Sequence, residues 1–205
     1  MPLVIENLTV TRGGRIVLAN LSLAVGAGEG LALTGRNGAG KTTLLRTIAG
    51  FLVPDQGSVR FHGGASAHDH SLAEQTHFIG HLDGVKGVLT VAENAQFWNA
   101  YLGGAPARVG LALDRVGLAE LAAIGARFLS AGQRRRLALA RLLLAPRTLW
   151  LLDEPTASLD TAGQAMLADI AGAHLAGGGI LVAATHAPLE FANTRELRLA
   201  EVAPA

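Results

Sequence analysis

The sequence contains no cysteine and few aromatic residues. Among its 205 residues there are six Phe, two Trp and one Tyr. The absence of cysteine excludes disulfides, thiolate metal sites and cysteine nucleophiles, and it fits a reducing compartment. Because aromatic side chains are so scarce, any place where several of them gather is a candidate contact surface.

Charge is also scarce, and it is nearly balanced. Lys plus Arg number 17 and Asp plus Glu number 16, so the net charge is +1, and charged residues make up 16% of the chain, below the usual ~25%. This balance predicts that the protein has no nucleic-acid partner recognised through bulk charge. The 50% share of hydrophobic residues favours a subunit that docks on another protein.

No segment has the composition of a targeting or membrane-spanning sequence. Residues 1–10 lack the basic region and the apolar core of a signal peptide. The longest run without Asp, Glu, Lys or Arg, Ile170–Leu189, is interrupted by Gly177, Gly178 and Gly179. We therefore expect a turn between two elements there and not a spanning helix. The composition predicts a soluble chain that could still sit on a membrane partner.

Strand and helix patterns alternate along much of the chain. Residues 3–10 and 16–25 alternate apolar and polar side chains around a Gly-Gly turn, which predicts a β-hairpin. Further strands are predicted at 31–34, 58–62, 148–152, 180–184 and 195–202, and helices at 40–49, 90–103, 107–128, 130–145 and 163–175. This order predicts an α/β fold with a mostly parallel central sheet, an antiparallel β subdomain and a helical insert at about 85–140. We expect one domain over residues 1–205.

A glycine-rich loop follows the strand at 31–34 and opens a helix. It fits the phosphate-loop pattern G-x4-G-K-[ST], and its residues are Gly35, Arg36, Asn37, Gly38, Ala39, Gly40, Lys41 and Thr42, with Thr43 next in the helix. Glycines let backbone N–H groups surround a phosphate, and the helix N-terminus adds a positive dipole end. Lys41 would supply a positive charge for the β- and γ-phosphates of a nucleotide, and the Thr42 hydroxyl would bind Mg²⁺.

A second apolar strand ends in two carboxylates, Asp153 and Glu154. Downstream of a phosphate loop, Asp153 is the expected second ligand for Mg²⁺, and Glu154 is placed to act as general base on the attacking water. The two motifs together predict a nucleotide phosphohydrolase without saying which kind.

The segment Leu129-Ser130-Ala131-Gly132-Gln133 resembles the signature motif of the ATP-binding cassette (ABC) family, with Ala131 in place of a glycine. Ser130 is a good N-cap, so the following helix offers a second N-terminus able to accept an anion. The resemblance implies a head-to-tail homodimer that sandwiches ATP between the signature of one subunit and the phosphate loop of the other.

Two later segments extend the resemblance to the ABC family. Ser158-Leu159-Asp160 is similar to the family's D-loop, which crosses the dimer interface, and His186 follows a strand where the family has its switch histidine, which senses the terminal phosphate. The resemblance implies that Asp160 and His186 belong to the nucleotide site. It covers essentially the whole chain.

Two positions depart from the family pattern. Arg12 occupies the place of the aromatic residue that stacks on adenine, and a guanidinium can also stack on a base. The Q-loop glutamine, which touches Mg²⁺ and the membrane partner, has no counterpart, and His81 is the candidate substitute. The alternative for His81 is an ordinary loop histidine at a strand end.

Residues 78–98 and 149–155 are similar to the ATP-binding subunits of cytochrome c biogenesis systems, which are described as haem exporters. This resemblance implies a peripheral ATPase subunit on the cytoplasmic face of a bacterial inner membrane, paired with a membrane permease and supporting release of a haem chaperone. Two alternatives remain: the ATPase subunit of an ABC transporter for another substrate, or a soluble ABC ATPase without a transport role.

Three smaller features carry further predictions. Phe97, Trp98 and Tyr101 predict either a docking surface for the permease or a helix face packed on the core. The arginine run 134–136 predicts a solvated helix face for at least one of its members. The histidines of residues 65–77, namely His68, His70 and His77, predict a loop in preference to a metal site.

Overall fold

A computed structural model describes residues 2–61, 65–66, 72, 74–186, 191 and 193–200. The strands are β1 (Leu3–Arg12), β2 (Arg15–Val25), β3 (Gly30–Thr34), β4 (Gln56–Phe61), β5 (Ala65–Ser66), β6 (Thr76–Ile79), β7 (Leu149–Asp153), β8 (Ile180–Ala184) and β9 (Thr194–Arg198). The helices are α1 (Lys41–Ile48), α2 (Val91–Leu102), α3 (Arg108–Arg115), α4 (Ala131–Leu144) and α5 (Thr161–Ala176), with 3₁₀ turns at Ala119–Leu121 and Ala126–Phe128.

The first sheet is antiparallel and has the strand order β2-β1-β4-β5. Its first two strands form the predicted hairpin, which turns through Gly13 at φ 56° and Gly14 at φ 77°. Two consecutive left-handed residues match the type I′ turn that the twist of a tight hairpin requires.

The second sheet has the order β6-β7-β8-β3-β9, and β7, β8, β3 and β9 run parallel to one another. All residues of β7 and β8 are buried, as expected for strands covered on both faces. The carboxyl ends of β3, β7 and β8 therefore lie side by side. In open parallel sheets, ligands bind beyond this edge.

The chain divides into two compact units. The core unit comprises residues 1–78, 148–155 and 171–205, and the helical unit comprises residues 79–147 and 156–170. The hydrophobic cluster of the core unit includes Leu3, Ile5, Leu31, Leu33, Leu44, Leu45, Ile48, Phe61, Leu149, Leu151, Ile180 and Val182. It joins the antiparallel sheet, α1 and the buried strands of the parallel sheet around one core.

The single helix predicted over 107–128 is wrong. Helix α3 ends at Arg115, and Gly117 follows it with φ 69°, a left-handed conformation that commonly terminates helices. The chain then makes the two 3₁₀ turns, and the carbonyls of Ala122 and Ile124 accept hydrogen bonds from Ala92 and Val91 at the start of α2. Residues 119–128 therefore supply hydrogen-bond acceptors to the N-terminus of α2 and do not extend α3.

The loop predicted over 65–77 is also partly wrong. Residues 65–66 form β5, and His77 is buried within β6, where its ring lies 6.5 Å from that of Trp150. His68 and His70 lie outside the described residues. None of the described helices is both long and apolar enough to cross a bilayer.

A histidine closes the end of the core unit where α5 turns into β8. The His174 ring stacks on Trp150 with centroids 3.8 Å apart and planes at 7°, and its Nε2 lies 3.1 Å from the carbonyl of Ile180. A Cβ on Gly179 would collide with this ring, so the glycine turn makes room for the stack. Burial lowers the pKa of His174 below its ordinary value of 6.5.

We predict that His174 makes the fold less stable in acid. In the unfolded chain His174 binds a proton near pH 6.5, whereas in the folded chain it binds that proton only at lower pH. The contribution of His174 to the free energy of unfolding is therefore fully present above the pKa of His174 in the unfolded chain. It is lost as the pH falls toward the pKa of His174 in the folded chain. Urea unfolding from pH 7.5 to 5 measures this slope. The His174→Phe variant keeps the ring stack and should show a shallower slope, whereas an unchanged slope would contradict the prediction.

Candidate functional site

The loop between β3 and α1 has the backbone of a phosphate cradle. Gly35, Gly38 and Gly40 have φ values of 131°, 88° and 96°, which side chains other than glycine rarely adopt. Gly40 is the N-cap of α1 and has no side chain with which to bond the first helical N–H groups. These donors, at the positive end of the helix dipole, suit an anionic ligand.

The Lys41 ammonium is buried beneath this loop. Its Nζ donates to the carbonyl of Gly35 at 2.6 Å and to that of Arg36 at 3.3 Å, and it lies 3.3 Å from Nε2 of His186. A buried cation must be compensated by such partners. A bound phosphate would offer Lys41 a stronger, fully charged partner in the same place.

Thr42 and Asp153 meet at the carboxyl edge of the parallel sheet. The Thr42 hydroxyl donates to the buried Asp153 carboxylate, at 3.1 Å to Oδ1 and 3.0 Å to Oδ2. One hydroxyl and one carboxylate are the hard oxygen donors that Mg²⁺ accepts from a protein when phosphate and water supply the rest. The described residues contain no group of three or more His, Asp and Glu side chains that could hold a metal ion, and a magnesium site of this kind requires none.

Glu154 and His186 face each other at the ends of β7 and β8. Glu154 Oε1 lies 3.3 Å from His186 Nε2, and the backbone N–H of Glu154 donates to the carbonyl of Ala184 at 2.9 Å. Glu154 has φ 48°, an uncommon left-handed conformation for a non-glycine residue. Backbone strain of this kind is often found where a side chain must be aimed.

The remaining loop residues frame this cluster. Arg36, Asn37 and Gly38 are exposed, Ala39 is buried, and Thr43 is half-buried one residue into α1. Separate motifs in the sequence predict roles for five residues, namely Lys41, Thr42, Asp153, Glu154 and His186. The structure brings these five side chains together within the core unit.

Ser130 and Gln133 cap α4 in the helical unit. The Ser130 hydroxyl accepts from the backbone N–H of Gln133 at 3.1 Å, and Gln133 Oε1 accepts from that of Ser130 at 2.9 Å. Ser130 is therefore the N-cap, as predicted, in a reciprocal capping box. The N–H groups of Ala131 and Gly132 take no part in these two capping hydrogen bonds. They are therefore the donors that the helix can present to an anion.

Asp160 lies near the same helix. Its Oδ1 accepts from the backbone N–H of Gly163 at 2.8 Å and from Arg136 Nη2 at 2.6 Å. These two hydrogen bonds, the backbone one first, lower the pKa of Asp160. A Cβ on Gly132 would lie 2.9 Å from the carbonyl of Ser158, so the signature segment and the D-loop segment are in contact within this unit.

The arginine run 134–136, predicted to be solvated at one position or more, is partly exposed at two of its three positions. Arg134 and Arg136 are half-buried, and Arg135 is buried and forms an ion pair with Asp83 at 3.0 Å. Burial lowers the pKa of the nearby Arg141 guanidinium to about 10. Sequence reasoning missed this cluster because nothing in the primary structure links the loop at residue 83 to α4.

Arg12 and His81, the two proposed substitutes, are both exposed. Arg12 ends β1 at the hairpin turn of the core unit. His81 follows β6 at the start of a loop in the helical unit, where Arg135 donates to the carbonyl of Gly80 at 3.0 Å. The nucleotide-binding roles of both residues stay predictions.

The aromatic residues of α2 form an exposed cluster. Trp98 packs edge-on between Phe97 at 5.5 Å and Tyr101 at 5.6 Å, and Phe97 and Tyr101 are 42% and 74% exposed. Lys86 lies over Phe97 and Arg141 over Trp98. The exposure of two neighbouring rings favours a docking surface over core packing, because apolar side chains grouped at the surface often mark an interaction site.

Known proteins resemble the chain over nearly its whole length. The family described as ABC transporter matches residues 18–157. A relative from Rhodopseudomonas palustris (strain HaA2), named cytochrome c biogenesis ATP-binding export protein CcmA, is 52% identical over 198 residues, which cover 97% of this chain and 98% of the relative.

Solved structures agree with this sequence similarity. An ATP-binding subunit of an ABC transporter aligns with a TM-score of 0.81 and 26% identity over 91% of this chain and 80% of its own. A dimeric, post-hydrolysis ATP-binding cassette bound to ADP and Pi aligns with a TM-score of 0.79 and 25% identity over 90% of this chain and 88% of its own.

We predict that Gly35→Ala damages the phosphate loop more than Gly38→Ala does. Both glycines have positive φ, but a Cβ on Gly35 would lie 2.6 Å from the backbone carbonyl of Leu199, whereas one on Gly38 meets no described atom within 4 Å. Urea unfolding should show a loss of about 1 kcal/mol for Gly38→Ala and about 2–4 kcal/mol for Gly35→Ala. Equal losses of unfolding free energy in the two variants would contradict the predicted clash between a Cβ on Gly35 and the carbonyl of Leu199.

Proposed function

Because this chain belongs to the ABC transporter family, we propose that it is the ATP-hydrolysing subunit of a cytochrome c biogenesis export system. The observation that carries the proposal is the cluster of Lys41, Thr42, Asp153, Glu154 and His186 beside an uncapped helix N-terminus. These are the groups needed to bind a triphosphate and to direct water at its last phosphorus.

Phosphate binding rearranges the contacts of Lys41. The ammonium leaves the carbonyls of Gly35 and Arg36 for the outer phosphate oxygens of ATP, while the loop and α1 N–H groups bond the phosphates. Thr42 and Asp153 would hold Mg²⁺, which when bound neutralises phosphate charge. The charge that develops on the phosphoryl group is then met by preorganised donors.

Glu154 would act as the general base for hydrolysis. Its carboxylate accepts a proton from the attacking water as the water oxygen bonds to the terminal phosphorus and the bond to the ADP oxygen breaks. His186, 3.3 Å from both Glu154 and Lys41, would hold the carboxylate in place and contact the terminal phosphate. ATP and water give ADP and phosphate.

A second copy of the chain would complete the site. The capping box leaves the Ala131 and Gly132 N–H groups of α4 to meet the ATP held on the partner's phosphate loop, with Asp160 beside them. The dimeric cassette bound to ADP and Pi supports such a sandwich.

The cargo system is proposed from the similarity to cytochrome c biogenesis proteins. The subunit would lie on the cytoplasmic face of the bacterial inner membrane, held there by a haem-exporter permease, and ATP hydrolysis would support release of the haem chaperone. The exposed Phe97 and Tyr101 would contact that permease. The alternatives remain an ABC transporter for another substrate and a soluble ABC ATPase.

We predict that Glu154→Gln lowers ATP turnover by about 10²–10⁴-fold, since the amide cannot accept the proton of water. ATP affinity should stay unchanged, and Mg-ATP should shift the variant to a dimer in size-exclusion chromatography. The contrasting variant Lys41→Ala should instead weaken ATP binding. Steady-state hydrolysis by Glu154→Gln at the wild-type rate would refute the role of Glu154.

The cargo assignment is tested by capture from detergent-solubilised bacterial membranes. The tagged chain should retain a small permease and haem-handling proteins, identified by mass and by the visible haem spectrum. Phe97→Ser/Tyr101→Ser should lose the permease, whereas Leu111→Ser, at an apolar position on α3 that is 68% exposed, should keep it. Capture of a permease of another class would leave the assignment as an ATPase intact and would overturn the assignment of the cargo.

A further inference from the structure

Helix α4 is anchored near its start by a charged side chain. From Ala131 to Arg134 its residues are exposed or half-buried, and Arg135 is its first buried residue, ahead of the apolar Leu137. An apolar side chain packs without a fixed direction, whereas a planar guanidinium donates hydrogen bonds only at set angles. The position of the N-terminal turn of α4 therefore depends on what Arg135 binds.

Arg135 binds the loop that follows β6 at two points. Its Nη1 donates to the carbonyl of Gly80 at 3.0 Å and to Oδ1 of Asp83 at 3.0 Å. The Arg135 side chain is only 3% exposed, so this charge is compensated inside the protein. Because both acceptors belong to one short loop, the guanidinium fixes the loop and the start of α4 to each other.

The same loop is also held by α2 and by the last turn of α4. Trp98 Nε1 donates to the carbonyl of Gly84 at 3.3 Å, and the Arg141 guanidinium lies 4.5 Å from the centre of the Trp98 ring. A Cβ on Gly84 would lie 3.0 Å from Arg141 Nη1, so the loop passes close to both side chains. Residues 80–84 are therefore clamped at both ends within the helical unit.

Asp83 balances two buried guanidinium groups. Arg141 is 7% exposed, and burial lowers its pKa to about 10, while Asp83 raises this pKa and Arg135 lowers it. Removal of Asp83 alone would leave two buried cations near each other, which strongly destabilises a fold. Removal of Asp83 and Arg135 together takes away one charge of each sign, so the pair can be replaced without unbalancing Arg141.

We propose that Arg135 is a positioning residue for the nucleotide site that two copies of the chain would share. By fastening the start of α4 to the loop of residues 80–84, it aims the N–H groups of Ala131 and Gly132 at the ATP of the other copy. Gly132 precedes Arg135 by about one helical turn, so a shift at the ion pair displaces these donors. The inference rests on the proposed function, because it presupposes that a second copy completes the site.

The test replaces both members of the buried pair in the Glu154→Gln chain, which is expected to dimerise with Mg-ATP. Asp83→Asn/Arg135→Met keeps the side-chain volumes similar, so the free energy of unfolding in urea should stay close to that of the Glu154→Gln parent. Analytical ultracentrifugation with Mg-ATP gives the dissociation constant of the dimer. We expect this constant to rise by about tenfold to a hundredfold, because the donors of α4 are misplaced.

Two further readouts separate positioning from stability. The affinity of the monomer for a fluorescent ATP analogue should stay unchanged, because the phosphate loop lies in the core unit. With Glu154 intact, steady-state ATP hydrolysis by the double variant should fall at low chain concentration and recover as the concentration rises, since dimerisation follows mass action. A pair that only stabilised the fold would give no such dependence.

Two comparison variants isolate the geometry of the buried pair. Arg115→Gln/Asp169→Asn removes an ion pair of the same unit whose side chains are 50% and 64% exposed. It should leave the dimer unchanged, because exposed ion pairs contribute little. Arg135→Lys keeps the positive charge but lacks the planar fork, so it should also weaken the dimer. It carries the test if the double variant fails to fold.

The outcomes distinguish this inference from the proposed function. A double variant, or Arg135→Lys in its place, that dimerises with the affinity of the parent would overturn the inference, since the pair would then contribute only to stability. Weaker ATP binding by the monomeric variant would also overturn it, because the effect would then reach the phosphate loop. Failure of the parent to bind ATP or to dimerise would instead overturn the proposed function.

Discussion

The buried ammonium of Lys41 is the interaction on which the rest of the site depends. A cation removed from water needs close acceptors, and the phosphate loop supplies the carbonyls of Gly35 and Arg36 while His186 approaches from β8. The loop can present those carbonyls because Gly35 adopts φ 131°. The cation is therefore held in place before any phosphate arrives, and phosphate binding becomes an exchange of acceptors.

The parallel sheet places the other groups around this cation. Asp153 and Glu154 end β7, His186 follows β8, and Lys41 opens the helix after β3. Because these three strands are adjacent and parallel, residues more than 100 positions apart in sequence meet at one edge. The helical unit presents a second helix N-terminus at α4, and its capping box uses the side chains of Ser130 and Gln133. Each unit thus carries a helix N-terminus that suits an anion, in keeping with the proposed site completed by a second copy.

Much of the fold follows from local patterns. The hairpin, the phosphate loop, the N-cap Ser130 and the buried strand before Asp153 lie where their sequences predict, because turn residues, capping residues and short apolar runs act over a few positions. The long helix expected over 107–128 fails since Gly117 ends α3 and carbonyls of the following turns are recruited to cap α2. That recruitment is a contact between segments distant in sequence, which no local pattern contains.

The sequence by itself determined which groups could bind a triphosphate, because the glycine spacing, Lys41 and the carboxylates after an apolar strand each carry their chemistry locally. The tertiary structure decided which of these groups meet. It brought Glu154 to His186, buried Arg135 against Asp83, and left Arg12 exposed at a hairpin turn. Distances between segments depend on strand order and packing, and those arise only when the whole core has formed.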